Sequence, residues 1–126
     1  MKLDEKSVGI ISEAVVANNA LDTLILSGNE LGNTGAHYIA KLIRFNTTLS
    51  TLDCHNCDLT QSGDVNDGVI QIANSLKINT RLCNLDISGN HLDFDDDKSN
   101  LEAIIAIGEC LHSNQTLIDV DVTHKD

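Results

Sequence analysis

The stretch LCNLDISGNHLD, residues 82–93, carries aliphatic residues at its first, fourth, sixth and eleventh positions and asparagine at its ninth. Similar stretches are LDTLILSGNELG from Leu21 and LSTLDCHNCDLT from Leu49, where cysteine replaces the asparagine, and a shorter copy, LIDVDVTHKD, begins at Leu117. A pattern that returns along a chain indicates a stack of similar units, each of which buries its apolar side chains against its neighbours.

A second motif precedes each copy, with apolar residues at helical spacing and an asparagine three residues before the first leucine. These asparagines are Asn18, Asn46, Asn79 and Asn114. The alternation predicts a helix, a turn, a short strand and a second turn in every repeat. The first leucines of successive copies are 28, 33 and 35 residues apart, so the additional residues fall in the strand-to-helix loops QSGDVNDG (61–68) and DFDDDKSN (93–100).

The sequence resembles the leucine-rich repeat family, in particular its ribonuclease-inhibitor-like class, whose repeats of about 28 residues each contain a true helix. The first copy carries nearly the whole pattern, in Leu24, Leu26, Asn29, Leu31, Gly32 and Gly35. The resemblance implies an α/β fold: a right-handed solenoid with a parallel sheet on its concave side and helices on its convex side. It implies one domain, residues 1–126, with an N-terminal capping helix at 1–20, repeats at 21–48, 49–81 and 82–116, and a final strand at 117–126. Members of the family mostly bind proteins, through surface residues that vary freely.

The asparagines at the ninth position have a structural explanation. Asn29 and Asn90 can turn their amides inward and satisfy backbone groups where the chain leaves a strand. We therefore expect them inside the solenoid.

Composition and charge exclude several classes of function. The net charge is −11, which argues against nucleic acid as a partner, because a phosphate backbone is bound by clustered Lys and Arg. The sequence contains no run of 18 apolar residues and its N-terminal stretch carries acidic residues, so we predict neither a membrane span nor a signal peptide. We therefore expect a reducing, cytoplasmic setting in which the four cysteines stay free.

The repeat register predicts which side chains face the concave side. With the fourth and sixth positions buried, the third, fifth and seventh point the other way. The fifth positions are Ile25, Asp53, Asp86 and Asp121, and neighbouring carboxylates about 4.8 Å apart repel by roughly 0.9 kcal/mol in water. Such a negative strip suits a protein partner with a basic surface, or it serves only to keep an exposed sheet solvated. The predicted partner-binding residues are Asp53, His55, Asp86, Ser88, Asp119 and Asp121.

Metal sites and catalysis have less support in the sequence. Cys54, His55 and Cys57 resemble part of a zinc site, but the register directs Cys54 into the core and His55 to the opposite face. The acidic loop from Asp93 departs from a calcium loop at its sixth and twelfth positions, Lys98 and Ile104. A pairing of His55 with Asp53 or Asp86 is conceivable, but no catalytic motif has a matching context. We predict no enzyme activity, no metal and no cofactor.

Taken together, these features predict a non-enzymatic protein–protein interaction module that binds through an acidic concave face. Two alternatives stay open. The first is a bacterial secreted effector that acts on a host protein, since bacteria living inside host cells also use this repeat class. The second is a structural protein that assembles through the strand edge near Val120, which an additional repeat of a longer solenoid would also cover.

Overall fold

The computed structural model describes residues 3–62, 64–92, 98–114 and 119–121, and at 98–100 and 119–121 it describes the backbone alone. Helices and strands alternate along these residues, as the sequence predicts. In chain order they are α1 (Glu5–Ala17), β1 (Thr23–Ile25), α2 (Gly32–Phe45), β2 (Thr51–Asp53), α3 (Asp67–Leu76), β3 (Asn84–Asp86), α4 (Lys98–Ser113) and β4 (Asp119–Asp121).

The four strands form one parallel sheet in the order β1-β2-β3-β4, and each helix packs against the helix of the next repeat. This is the right-handed leucine-rich repeat solenoid that the sequence predicts, with the sheet on the concave side and the helices on the convex side. Residues 93–97, which include four of the aspartates of the acidic loop, lie outside the described residues, as do the residues after Asp121 in the predicted final strand. None of the helices in the described ranges is both long and apolar enough to cross a membrane.

The core lies between the sheet and the row of helices. The fourth and sixth positions of the second and third copies are buried, as the register predicts: Leu52, Cys54, Leu85 and Ile87. In the first copy Leu26 is buried and Leu24 only half-buried, because β1 is the first strand of the sheet. Helix α1 covers this end of the core with Val8 and Val15, and Asp4 caps its first turn by accepting from Ser7 N at 2.9 Å.

Asparagines at the helix ends link each repeat to the one before it. Asn46 Nδ2 donates to Val15 O at 2.7 Å, and its Oδ1 accepts from the backbone N–H groups of Thr48 and Leu49. Asn79 donates in the same way to Ile43 O at 2.7 Å, one repeat further on. The last carbonyls of a helix have no partner within the helix, so each asparagine satisfies one in the preceding helix while it shapes its own turn.

A second ladder runs where the chain leaves each strand, and it confirms the structural role predicted for Asn29 and Asn90. Asn29 Nδ2 donates to Leu26 O at 2.8 Å, and Asn90 Nδ2 donates to Ile87 O at 2.8 Å. Cys57 holds the same place in the second repeat, with its Sγ 3.2 Å from Leu26 O. These turns, which make equivalent contacts in the three repeats, define where each strand ends and therefore which residues follow it.

Candidate functional site

The strand register places the acidic residues side by side across the sheet. Ile25 pairs with Asp53, Asp53 with Asp86, and Asp86 with Asp121. Asp119 lies two residues earlier on β4, in register with Asn84. The column expected from the sequence is therefore present in the backbone, although the side chains of Asp119 and Asp121 are outside the described part of the chain.

Asp53 and His55 form a close pair on this surface. His55 Nδ1 lies 2.9 Å from Asp53 Oδ1, and the His55 backbone N–H donates to the same oxygen at 3.0 Å. Both side chains are partly accessible, with 26% of Asp53 and 34% of His55 exposed. The pair is thus held in place by its own backbone yet still open to a binding partner.

Asp86 is positioned in the same way by Ser88, two residues later. Its Oδ1 accepts from Ser88 N at 2.9 Å and from Ser88 Oγ at 2.5 Å. Ser88 itself is 0% exposed, so the prediction that it lies on the accessible concave surface is wrong. Strand β3 ends at Asp86, and the alternation of side chains that applies within a strand no longer applies at Ser88. Ser88 orients Asp86 and presents no surface of its own.

Three side chains of this surface converge. The ligand atoms of Asp53, His55 and Asp86 all lie within 4.8 Å of one another. The sequence register puts the two carboxylates on neighbouring strands and allows a pairing of His55 with either of them, but it does not determine the imidazole rotamer that brings all three together. The signal that could have found this group is the D-x-H spacing of Asp53 and His55 beside an aspartate in register.

The cysteines do not contribute to this group. Cys54 and Cys57 are buried, and burial raises the pKa of the Cys54 thiol well above its ordinary value and that of Cys57 to about 11. All four cysteines are free. Cys54 thus lies in the core, as the register predicts, and the raised thiol pKa of Cys54 and Cys57 opposes zinc or redox chemistry there.

These burial differences predict a selective thiol reaction. In the native protein at pH 8, we expect a water-soluble disulfide reagent to label Cys83 first, because it alone among the four is partly exposed. Cys54, Cys57 and Cys110 should react only after unfolding, since the thiolate is the nucleophile and burial raises the pKa of all three. Mass spectrometry of the labelled peptides measures the order, and rapid native labelling of Cys57 would contradict it.

A groove with basic side chains in its lining lies on the convex side, between α2 and α3, in contrast to the acidic concave face. Its volume is about 410 Å³. Its lining includes Lys41, Arg44 and Phe45, and the Arg44 guanidinium lies 5.6 Å from the centre of the Phe45 ring. His37 lines it too, with its Nε2 atom 2.8 Å from Asp67 Oδ2, and this hydrogen bond holds the pKa of the Asp67 carboxyl below its ordinary value. The repeat pattern does not predict this groove, although Lys41 and Arg44 stand one helical turn apart on α2.

Comparison with known proteins supports the fold. No family model matches the chain, and no curated protein matches its sequence. Among solved structures, the chain is similar to leiomodin-1 actin-binding site 2, with a TM-score of 0.78 and 20% sequence identity over 98% of this chain. It is also similar to the tropomodulin C-terminal domain of Caenorhabditis elegans, with a TM-score of 0.77 and 11% identity over the whole chain. The chain spans 66% of the leiomodin-1 structure and 74% of the tropomodulin structure. At these identities the likeness establishes the leucine-rich repeat fold alone.

Proposed function

We propose that this protein is a non-enzymatic protein-interaction module whose concave face binds a partner with a basic surface. The observation that carries the proposal is the in-register pair Asp53 and Asp86, with each carboxylate fixed by a hydrogen bond to the residue two positions later. Fixed charges of one sign on a concave surface attract an oppositely charged partner and speed its approach. Asp119 and Asp121 would extend the same surface onto β4, and His55 contributes a polar contact beside Asp53.

The same column begins with an apolar side chain. Ile25 pairs with Asp53 in the sheet and is 65% exposed. Interfaces combine an apolar contact at the centre with polar and charged contacts around it. We therefore expect the partner to present an aliphatic or aromatic side chain close to its basic residues, with Ile25 as the apolar contact on this chain.

Actin is the first partner to test, because one of the similar structures is described as an actin-binding site. Cosedimentation with actin filaments and gel filtration with monomeric actin would both measure binding of the chain to actin. The repeats with full helices also support placing the chain in the ribonuclease-inhibitor-like class. The cellular setting that we propose for it is a reducing cytoplasm, either its own or that of a host cell. Self-assembly of the chain would instead give an apparent molecular mass that rises with protein concentration.

The proposal predicts that charge reversal on the concave face abolishes partner capture. With Asp53→Lys and Asp86→Lys combined, we expect the proteins retained by the wild-type chain on an affinity column to be lost, because attraction becomes repulsion. The matched control combines Glu13→Lys and Glu102→Lys, which changes the net charge equally at exposed positions on α1 and α4. Quantitative mass spectrometry of the retained proteins compares the three.

The control variant should retain the same proteins as the wild type. Circular dichroism should give the same spectrum and melting behaviour for all three chains. A concave-face variant that is folded and still retains the full set of partners would contradict the proposal, and equal losses in both variants would show that net charge, not the concave face, determines capture.

A further inference from the structure

We propose that Asp53, His55 and Asp86 form a binding site for a divalent transition-metal ion of the Zn²⁺ type. Their ligand atoms lie within 4.8 Å of one another. Two donors bound to one zinc ion at about 2.0–2.1 Å are about 3.3 Å apart in tetrahedral geometry. Small side-chain rotations on a partly exposed surface therefore suffice to bring all three onto one ion.

The backbone already fixes the positions from which these donors converge. Asp53 and Asp86 are paired across β2 and β3, and His55 follows Asp53 by two residues. The internal hydrogen bonds of both aspartates end on Oδ1. Among the hydrogen bonds of the described residues none occupies the Oδ2 atoms, so each carboxylate keeps an oxygen available for a ligand.

The donor set indicates which ions fit. One imidazole nitrogen with two carboxylate oxygens suits zinc and its transition-metal neighbours, whereas calcium and magnesium prefer oxygen donors alone. The nearby thiols of Cys54 and Cys57 are buried in the core and do not compete.

Electrostatics favours an ion at this place. Two carboxylates on adjacent strands repel each other, and a cation between them converts that repulsion into attraction. Asp121 occupies the next register position after Asp86 on β4. Since zinc accepts four ligands, water or a side chain of the partner would supply the fourth. The metal site lies on the proposed partner-binding face, but its test uses zinc alone and no partner.

Titration calorimetry of the reduced 126-residue chain with zinc chloride tests the site. We expect one ion per chain. His55→Gln and Asp86→Asn should each weaken binding at least about tenfold, because loss of an outer-shell partner of a metal ligand already costs about 10–100-fold. Nuclear magnetic resonance should show the His55 ring signals shifting as zinc is added, while those of His37 stay in place.

The matched control is His37→Gln, which removes the histidine of the second His–Asp pair, His37–Asp67, on the convex side. This variant should bind zinc as the wild type does, and so should Cys83→Ser, which removes the partly exposed thiol. The inference is overturned if the wild type shows no saturable binding of one zinc ion, if His55→Gln and Asp86→Asn leave zinc binding unchanged, or if His37→Gln weakens it equally. None of these results bears on partner capture by the metal-free chain.

Discussion

Replacement of Asn90 by alanine is expected to lower the free energy of unfolding by about 3–5 kcal/mol. Asn90 is 1% exposed, and its Nδ2 donates to Cys54 O at 2.9 Å and Ile87 O at 2.8 Å. Its Oδ1 accepts from the backbone N–H groups of Cys57 at 2.9 Å and Leu59 at 3.1 Å. The alanine variant leaves these buried groups without partners, and each such loss costs about 1–3 kcal/mol.

Urea unfolding followed by circular dichroism measures this effect. The matched control is Asn84→Ala in the same repeat, since Asn84 is exposed and, among the described side chains, it makes only a long contact of 3.4 Å with Thr51 Oγ1. We expect the control to change stability by no more than about 0.5 kcal/mol. Similar losses in the two variants would show that the ladder of turn residues does not carry the stability attributed to it.

Two glycines should respond to alanine with opposite signs. A Cβ atom at Gly68 would lie 2.6 Å from Ala36 Cβ and 2.9 Å from Asn33 O, at the contact between α3 and α2. Since such overpacking costs about 1–3 kcal/mol, Gly68→Ala should destabilise the protein by that amount. A Cβ at Gly108 in α4 meets nothing within 4 Å of the described atoms, so Gly108→Ala should stabilise the protein by about 0.5–1 kcal/mol through helix propensity.

Thermal and urea unfolding of the two alanine variants compare them directly. Both substitutions add one methyl group within a helix, so the difference between them reports the close approach of α2 and α3. If Gly68→Ala were as stable as Gly108→Ala, the tight packing of α2 against α3, between the first and second repeats, would not be the reason that a glycine stands at position 68.

Much of the fold follows from the sequence because the repeat signals are local. Leu85, Ile87 and Asn90 each stand at a fixed distance from the first leucine, and stacking places the equivalent residues of every repeat on the same layer. This register also predicts that Asp53 and Asp86 are neighbours. A sequence can therefore give the fold and the acidic column together.

The parts that sequence reasoning missed depend on side-chain geometry beyond the strands. Ser88 lies past the end of β3, where the chain turns and its hydroxyl hydrogen-bonds to Asp86. The convergence of His55 on the two carboxylates depends on a rotamer, and the groove beside Phe45 depends on how α2 and α3 pack. None of these is set by the spacing of apolar residues, so none could be read from the repeat pattern.

The proposed function requires that the acidic concave face capture a basic partner. The most direct measurement is the association rate constant with a captured partner at low and high salt, for the wild type and for Asp53→Asn combined with Asp86→Asn. The variant should associate about tenfold more slowly at low salt, and the difference should shrink at high salt because salt screens exposed charges. Equal association rates at low salt would contradict the claim.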